Sequence, residues 1–195
     1  METTVPTFIE NCEKLNCLNR TVMSPYPRIW WETLDGGEAQ IVFRSAEKPD
    51  KLRGPNKSGL WLDEASYQPI DAMRIARATL RRGGVMGPTI LTMTPRGRSH
   101  WTFELCYSRA NGDEANLEMI QGVPYVPKPG VKLIQASTAD NPFLPADFFD
   151  SMAQDLSPLL AAQELGGQFI DIDGLMFRRE WFQPVDYAPR EALRV

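Results

Sequence analysis

The sequence predicts an α/β domain with a mostly parallel sheet flanked by helices, and three stretches carry that prediction. The first is Gly59-Leu60-Trp61-Leu62-Asp63-Glu64-Ala65-Ser66, an apolar run that stops at two adjacent acids. A strand buried on both faces reads this way, as a short apolar run ending abruptly in polarity. The second, Pro88 to Thr94, repeats the pattern and closes on Pro95-Arg96-Gly97. Between them Ile70, Met73, Ala76 and Leu80 recur at helical spacing, and Gly83-Gly84 follows as a stop, which predicts a helix over 69–82. A strand, a helix and a strand in succession form a unit of parallel sheet.

The other elements follow in order. Phe8, Cys12, Leu15 and Leu18 fall on one face and predict a helix over 6–19, with Pro6 suited to its first turn. A loop follows from Arg20 to Pro27. Segments 28–34 and 38–44 read as strands around Asp35-Gly36-Gly37, a hairpin signal, with Trp30 and Trp31 as packing residues. Residues 45–58 form a polar loop. Ser99 can cap a helix over 100–110, which Asn111-Gly112 ends. Segments 117–121 and 131–137 read as strands with a proline-rich loop between them. A helix over 145–156 follows, then one with Ser157 as cap, Pro158 at its first position and Gly166 at its end. Residues 168–171 suit a last strand.

Composition narrows the function. The chain has 195 residues, 43% hydrophobic and 24% charged, ordinary for one globular domain with a real core. With 21 basic and 25 acidic residues the net charge is −4, which argues against a whole-surface nucleic-acid binder but leaves room for a basic patch. Three cysteines and one histidine cannot build a zinc site. No signal peptide or membrane-spanning run is present, and the odd cysteine count suits a reducing cytoplasm.

Asp63 and Glu64 carry the strongest chemical signal. Acids at the carboxyl end of a parallel strand sit where open α/β sheets bind ligands. In nucleotide hydrolases this form is a Walker B strand, whose first acid holds Mg²⁺ while the second polarises water. A strand that ends in a charged turn would read the same way locally. Lys57-Ser58 is not a phosphate loop: the glycines that motif requires are replaced by Asn56 and Lys51. No other stretch of these 195 residues has that motif. Arg74, Arg77 and Arg81 line one side of their helix as a solvated basic face, a DNA-contacting stripe being the alternative. Asp171 and Asp173 read as a solvated turn.

The order of the signals adds more. Leu52-Arg53-Gly54-Pro55, Leu-Trp-Leu-Asp-Glu-Ala, Thr-Met-Thr-Pro-Arg-Gly, Asp140-Asn141-Pro142-Phe143-Leu144-Pro145 and Gln163-Glu164-Leu165-Gly166-Gly167-Gln168-Phe169 succeed one another along the chain. This succession resembles the ATPase domain of the large terminase subunit of tailed bacteriophages, a family that packages viral DNA into a preformed capsid. The resemblance spans roughly residues 28–180.

It implies a partial P-loop-NTPase-like fold: an ATPase core over 1–137, a small helical lid over 138–180, and the start of a linker to a nuclease domain over 181–195. It implies ATP and Mg²⁺ in the complete enzyme, with Asp63 as the metal and nucleotide-site acid and Glu64 as the catalytic glutamate. Thr92, Thr94 and Pro95 would fall in the motif that couples hydrolysis to DNA movement. Arg53 would act on the neighbouring subunit's nucleotide, with Arg44 as competitor. The implied partners are double-stranded DNA, the small terminase subunit, the portal and further copies in a ring, within the cytoplasm of a bacterial host and with no membrane.

The family's phosphate loop lies upstream and its nuclease downstream of the matched region. The expectation is therefore the Walker B and coupling half of the motor: a remnant, a split-gene product or an excised piece, inactive alone. A further chain supplying the phosphate-loop segment is an implied partner. The strand carrying that loop would lie between 89–93 and 131–136. Those two strands are expected to close on each other, to accept a donated strand, or to leave aggregation-prone edges. A non-catalytic interaction or DNA-binding module of a motor ring, and a fragment of a helicase-like ATPase, remain the alternatives.

Overall fold

The structure is a computed structural model that describes residues 3–110, 115–145 and 147–171. The chain divides into two compact units. One holds the described residues up to Asp63 together with Tyr67–Thr92; the other holds Glu64–Ser66 and the described residues from Met93 onward. Among the described residues no helix is long and apolar enough to cross a membrane.

In the first unit, helix α1 (Thr4–Lys14) turns Val5, Phe8, Ile9 and Cys12 inward. Val5, Phe8 and Ile9 pack on Ile29 and Phe43, and the Phe8 ring stands edge-on to Trp31 and Phe43 at 5.4 and 5.8 Å. Complete burial of Ile29 stabilises this core by about 1.5–3 kcal/mol. The helix stops well before residue 19. Asn16 takes the left-handed conformation (φ +51°), its N–H bonds to the Glu13 carbonyl, and the Cys17 N–H bonds to the Cys12 carbonyl. That paired closure ends a helix wherever a residue tolerates positive φ, and asparagine does. Leu15 is left exposed and Leu18 opens a strand.

That strand, β1 (Leu18–Val22), pairs antiparallel with β2 (Arg28–Glu32), which pairs with β3 (Glu38–Val42). The Asp35-Gly36-Gly37 turn forms as expected, with Gly36 at φ +77°. The Thr33 hydroxyl and the Gly37 N–H donate to the Asp35 carboxylate and hold its pKa below the usual range. Trp31 is a packing residue, whereas Trp30 carries the Arg20 guanidinium 4.0 Å above its ring.

The parallel part of the fold is one pair, β4 (Leu60–Leu62) and β5 (Thr89–Leu91), in the register Leu60–Thr89, Trp61–Ile90, Leu62–Leu91. The mostly parallel sheet expected from the sequence is thereby corrected: the other described strands are antiparallel. Helix α2 (Ile70–Arg77) joins the pair and buries Ala72, Met73 and Ala76. It ends before residue 82, because the Thr79 hydroxyl bonds back to the Ala76 carbonyl and the Thr79 carbonyl accepts the Lys57 N–H. Gly87 permits the entry to β5: a Cβ there would lie 1.9 Å from the Ser58 carbonyl oxygen.

In the second unit, α3 (Trp101–Cys106) is capped by His100 rather than Ser99, its Nδ1 accepting from the Thr102 N–H. Tyr107 turns extended and starts β6 (Tyr107–Arg109), so the helix does not reach residue 110. Strands β7 (Glu118–Ile120) and β8 (Val123–Pro127) form a hairpin whose two turn residues, Gln121 and Gly122, both have positive φ, and the sheet order is β6-β8-β7. The middle strand β8 holds Pro124 and Pro127, residues that ordinarily mark sheet edges, so the sequence reads as loop there.

Phe103, Cys106, Tyr107 and Phe169 form the core, with Met93, Ile120, Tyr125 and Leu133 against it. The Tyr107 hydroxyl donates to Glu118, and burial together with that carboxylate pushes the phenol pKa up.

Residues 131–137 form no strand, so closure of 89–93 on 131–136 does not occur. They are held instead by the end of α5 (Pro158–Glu164), where the Leu165 carbonyl accepts from the Thr138 N–H and the Ser137 hydroxyl. The preceding helix α4 spans Phe148–Gln154, and Ser157 caps α5 as expected. Residues 168–171 are likewise not a strand; Phe169 and Ile170 are buried in irregular backbone. Asp173 and the expected linker over 181–195 lie outside the described residues.

Candidate functional site

Asp63 follows directly on β4, half-buried, at the carboxyl end of the parallel pair. Strand alternation and the Trp61–Ile90 register put Trp61, Asp63, Ile90 and Thr92 on one face. Two hydroxyls reach the carboxylate. Thr92 Oγ1 donates to Oδ1 at 2.8 Å, and Thr4 Oγ1, from the first turn of α1, donates to Oδ2 at 2.9 Å. The Trp61 indole N–H donates to Thr92 Oγ1 at 3.0 Å. Beside them lies a cleft of about 250 Å³ lined by Thr3, Thr4, Thr7, Phe8, Asn11, Trp61 and Asp63.

No lysine, arginine or histidine among the described residues forms an ion pair with Asp63. Its charge therefore remains available to a cation, and the α1 N-terminus beside it favours an anion. No three His, Cys, Asp or Glu side chains cluster among the described residues. Mg²⁺ fits such a donor set, since it takes one or two carboxylates and completes its shell with phosphates, hydroxyls and water.

Glu64 belongs to the second unit, its side chain exposed and its backbone left-handed at φ +49°. Such a conformation costs a non-glycine residue about 1–2 kcal/mol and concentrates at functional positions. In that same unit the buried Ser66 donates its hydroxyl to the Thr94 carbonyl, and Pro95 is buried. The threonine that reaches Asp63 is thus Thr92; Thr94 is held through its backbone.

Arg53 is exposed and paired with Asp50 at 3.3 Å. The Arg44 guanidinium donates to the Lys51 carbonyl and lies 4.2 Å from the centre of the Tyr26 ring. Lys57 is half-buried between the Leu52 carbonyl and the Thr79 hydroxyl, and burial, with the Arg44 charge second, lowers its pKa. The arginines of α2 are surface residues: Arg74 pairs with Asp71, and Arg81, just beyond the helix, donates to Asn56.

Sequence reasoning missed Thr4 and Trp61. The adjacent threonines at the start of α1 were the available signal, but nothing local ties them to an acid 59 positions away.

The molecule is an α/β protein whose hydroxyl-held acid closes a parallel strand. The chain belongs to the family described as terminase large subunit, T4likevirus-type, N-terminal, whose model matches residues 18–184. Its fold is similar to the large terminase ATPase domain of Thermus phage P74-26, at 20% identity and a TM-score of 0.57 over 85% of this chain and 70% of that one. An arginine-to-alanine variant of the same phage domain gives 17% identity and a TM-score of 0.56 over 85% and 71%. No curated protein matches the sequence.

Proposed function

We propose that this chain is the Walker B and coupling part of a DNA-packaging ATPase, with Asp63 and the Thr4 hydroxyl as its magnesium ligands. The observation that carries this is the Thr4–Asp63 hydrogen bond. In phosphate-loop hydrolases Mg²⁺ is shared between the Walker B aspartate and the hydroxyl that follows the loop's lysine. Thr4 would stand in that relation to Asp63, with α1 as the helix that follows the phosphate loop. These 195 residues hold no Gly-Lys loop, and Thr3 rather than a lysine stands directly before Thr4, so such a loop would have to reach the site from another segment.

Glu64 would orient the attacking water, and Arg53, or else Arg44, would reach a neighbouring subunit's nucleotide in a ring. The bound metal would offset charge on the transferring phosphate. Thr92, Thr94 and Pro95 would couple the site to movement of double-stranded DNA, in a motor that also engages a portal and a small terminase subunit.

A phosphate loop supplies three or four charge-assisted hydrogen bonds worth about 1.5–3 kcal/mol each, so without it nucleotide binding weakens by several orders of magnitude. The 195-residue chain is expected to show no ATP turnover alone, and to gain it when a segment carrying the Gly-Lys loop is supplied. Turnover by the chain alone that Glu64→Gln abolishes overturns the partial-site reading. Restored turnover that survives Glu64→Gln overturns the role of Glu64.

A further inference from the structure

We infer that Trp61 is a positioning residue of the Asp63 site: its indole N–H anchors and polarises the Thr92 hydroxyl that donates to the carboxylate. This rests on the reading of Asp63 as the metal acid, and it assigns work to a residue that the Walker B pattern treats as one more apolar position.

The hydrogen inventory forces the direction. An indole nitrogen is a donor only, and a threonine hydroxyl has one hydrogen and two lone pairs. At 3.0 Å from Trp61 Nε1, Thr92 Oγ1 must accept. Its single hydrogen then has two acceptors in range, Asp63 Oδ1 at 2.8 Å and the Leu62 carbonyl at 3.4 Å. The nearer and charged acceptor takes it. The result is a directed chain, Trp61 N–H to Thr92 O–H to Asp63 Oδ1, in which each bond polarises the next.

Without the indole donor, Thr92 Oγ1 loses the contact that holds its position and polarises its O–H toward Oδ1. With it, Oδ1 stays committed to Thr92, and Oδ2, which accepts from the Thr4 hydroxyl, is the oxygen a metal shared with Thr4 would take. Packing alone does not account for Trp61. The side chain is 39% exposed and its cross-strand partner Ile90 58% exposed, so a smaller apolar residue would fill the same surface. A phenylalanine would retain the ring but not the N–H.

The test reads the indole itself. The chain has five tryptophans, and the Trp61 indole N–H resonance is the one lost in Trp61→Phe. That resonance is expected to move toward the free-indole position in Thr92→Val and to stay in place in Thr92→Ser. It is also expected to move in Asp63→Asn, although the carboxylate does not touch the indole. A resonance that moves in Thr92→Val but not in Asp63→Asn overturns the inference, because Trp61 would then only be satisfying its own donor.

Mn²⁺ separates this from the underlying reading. Broadening of the Trp61 resonance by Mn²⁺ that Asp63→Asn abolishes supports the metal site. A directed chain with no such broadening overturns the metal reading and leaves the hydrogen-bond assignment standing. In the motor completed with its phosphate-loop segment, Trp61→Phe should raise the Mg²⁺ concentration for half-maximal turnover by about three- to tenfold while leaving turnover at saturating Mg²⁺ nearly unchanged. An unchanged Mg²⁺ requirement in a variant with wild-type melting behaviour overturns the positioning role.

Discussion

Asp63 in the first unit and Asp171 in the second are both partly buried carboxylates with both oxygens engaged, yet their surroundings differ in charge. Asp171 Oδ2 accepts from Arg98 Nε at 2.5 Å and Oδ1 from the Arg98 N–H at 2.6 Å, the two side chains being 23% and 29% exposed for Arg98 and Asp171 respectively. The Arg98 guanidinium also donates to the Ile120 carbonyl, and the Asp171 N–H to the Gln121 side chain. That carboxylate is neutralised, and its contacts tie the turn after Pro95 to the end of the described chain. Asp63 is held by two neutral hydroxyls. Hydroxyls orient a carboxylate without cancelling its charge, so the first arrangement suits a clamp and the second leaves its charge uncancelled.

The largest expected effect breaks this contrast directly. Asp171→Ala leaves a partly buried guanidinium unpaired and should lower the unfolding free energy by about 1.5–3 kcal/mol. Asp63→Ala removes an unneutralised charge along with its two hydroxyl bonds and should change it by less than about 1 kcal/mol. Urea unfolding of the two variants measures both; equal losses would show that the two carboxylates do the same job.

Gly97→Ala sharpens the same point without touching a charge. A Cβ at position 97 would lie 2.5 Å from Asp171 Oδ1 and 3.4 Å from the Asp171 Cα. The clamp must open to admit it, at about 1–3 kcal/mol. Combined with Asp171→Ala, the glycine substitution should cost much less than it does alone, and additive losses in the double variant would place the strain elsewhere.

The smallest effect is a pH dependence that belongs to the second unit. Burial, with the nearby Arg96 charge second, lowers the His100 pKa below its ordinary 6.5. The unfolded chain therefore takes up this proton before the folded chain does. The stabilising contribution is complete above 6.5 and is lost as pH falls through 6.5 toward the folded value. Protonation also removes the Nδ1 lone pair that caps α3. Asparagine caps helices without titrating, so His100→Asn should flatten the melting temperature measured between about pH 5.5 and 7.5. An unchanged slope would assign the dependence to another group.

The local features of the chain were legible in the sequence. The apolar run into Asp63, the Asp35-Gly36-Gly37 turn and the Ser157-Pro158 helix start are written in adjacent residues. What was not legible depends on register or on distance. Thr92 rather than Thr94 reaches Asp63 because the Trp61–Ile90 register, carried two residues on, sets Thr92 level with Asp63. Helix α1 ends at Lys14 because Asn16 accepts a left-handed backbone, which apolar periodicity alone does not reveal. Strand β8 carries two prolines in the middle of a sheet, against the usual rule. The segment 131–137 has the composition of a strand, but the Gln135 and Ser137 side chains bond to carbonyls of the turn after α5 instead.

Glu64 has a consequence in the currency of natural selection. Its left-handed backbone is one that glycine adopts freely and glutamate adopts only against about 1–2 kcal/mol of steric resistance. A lineage selected for fold stability alone would drift toward glycine at this position. A glutamate there, next to an aspartate held by two hydroxyls, is the kind of residue that stability-guided redesign would remove first, and its removal would yield a sturdier protein without its carboxylate.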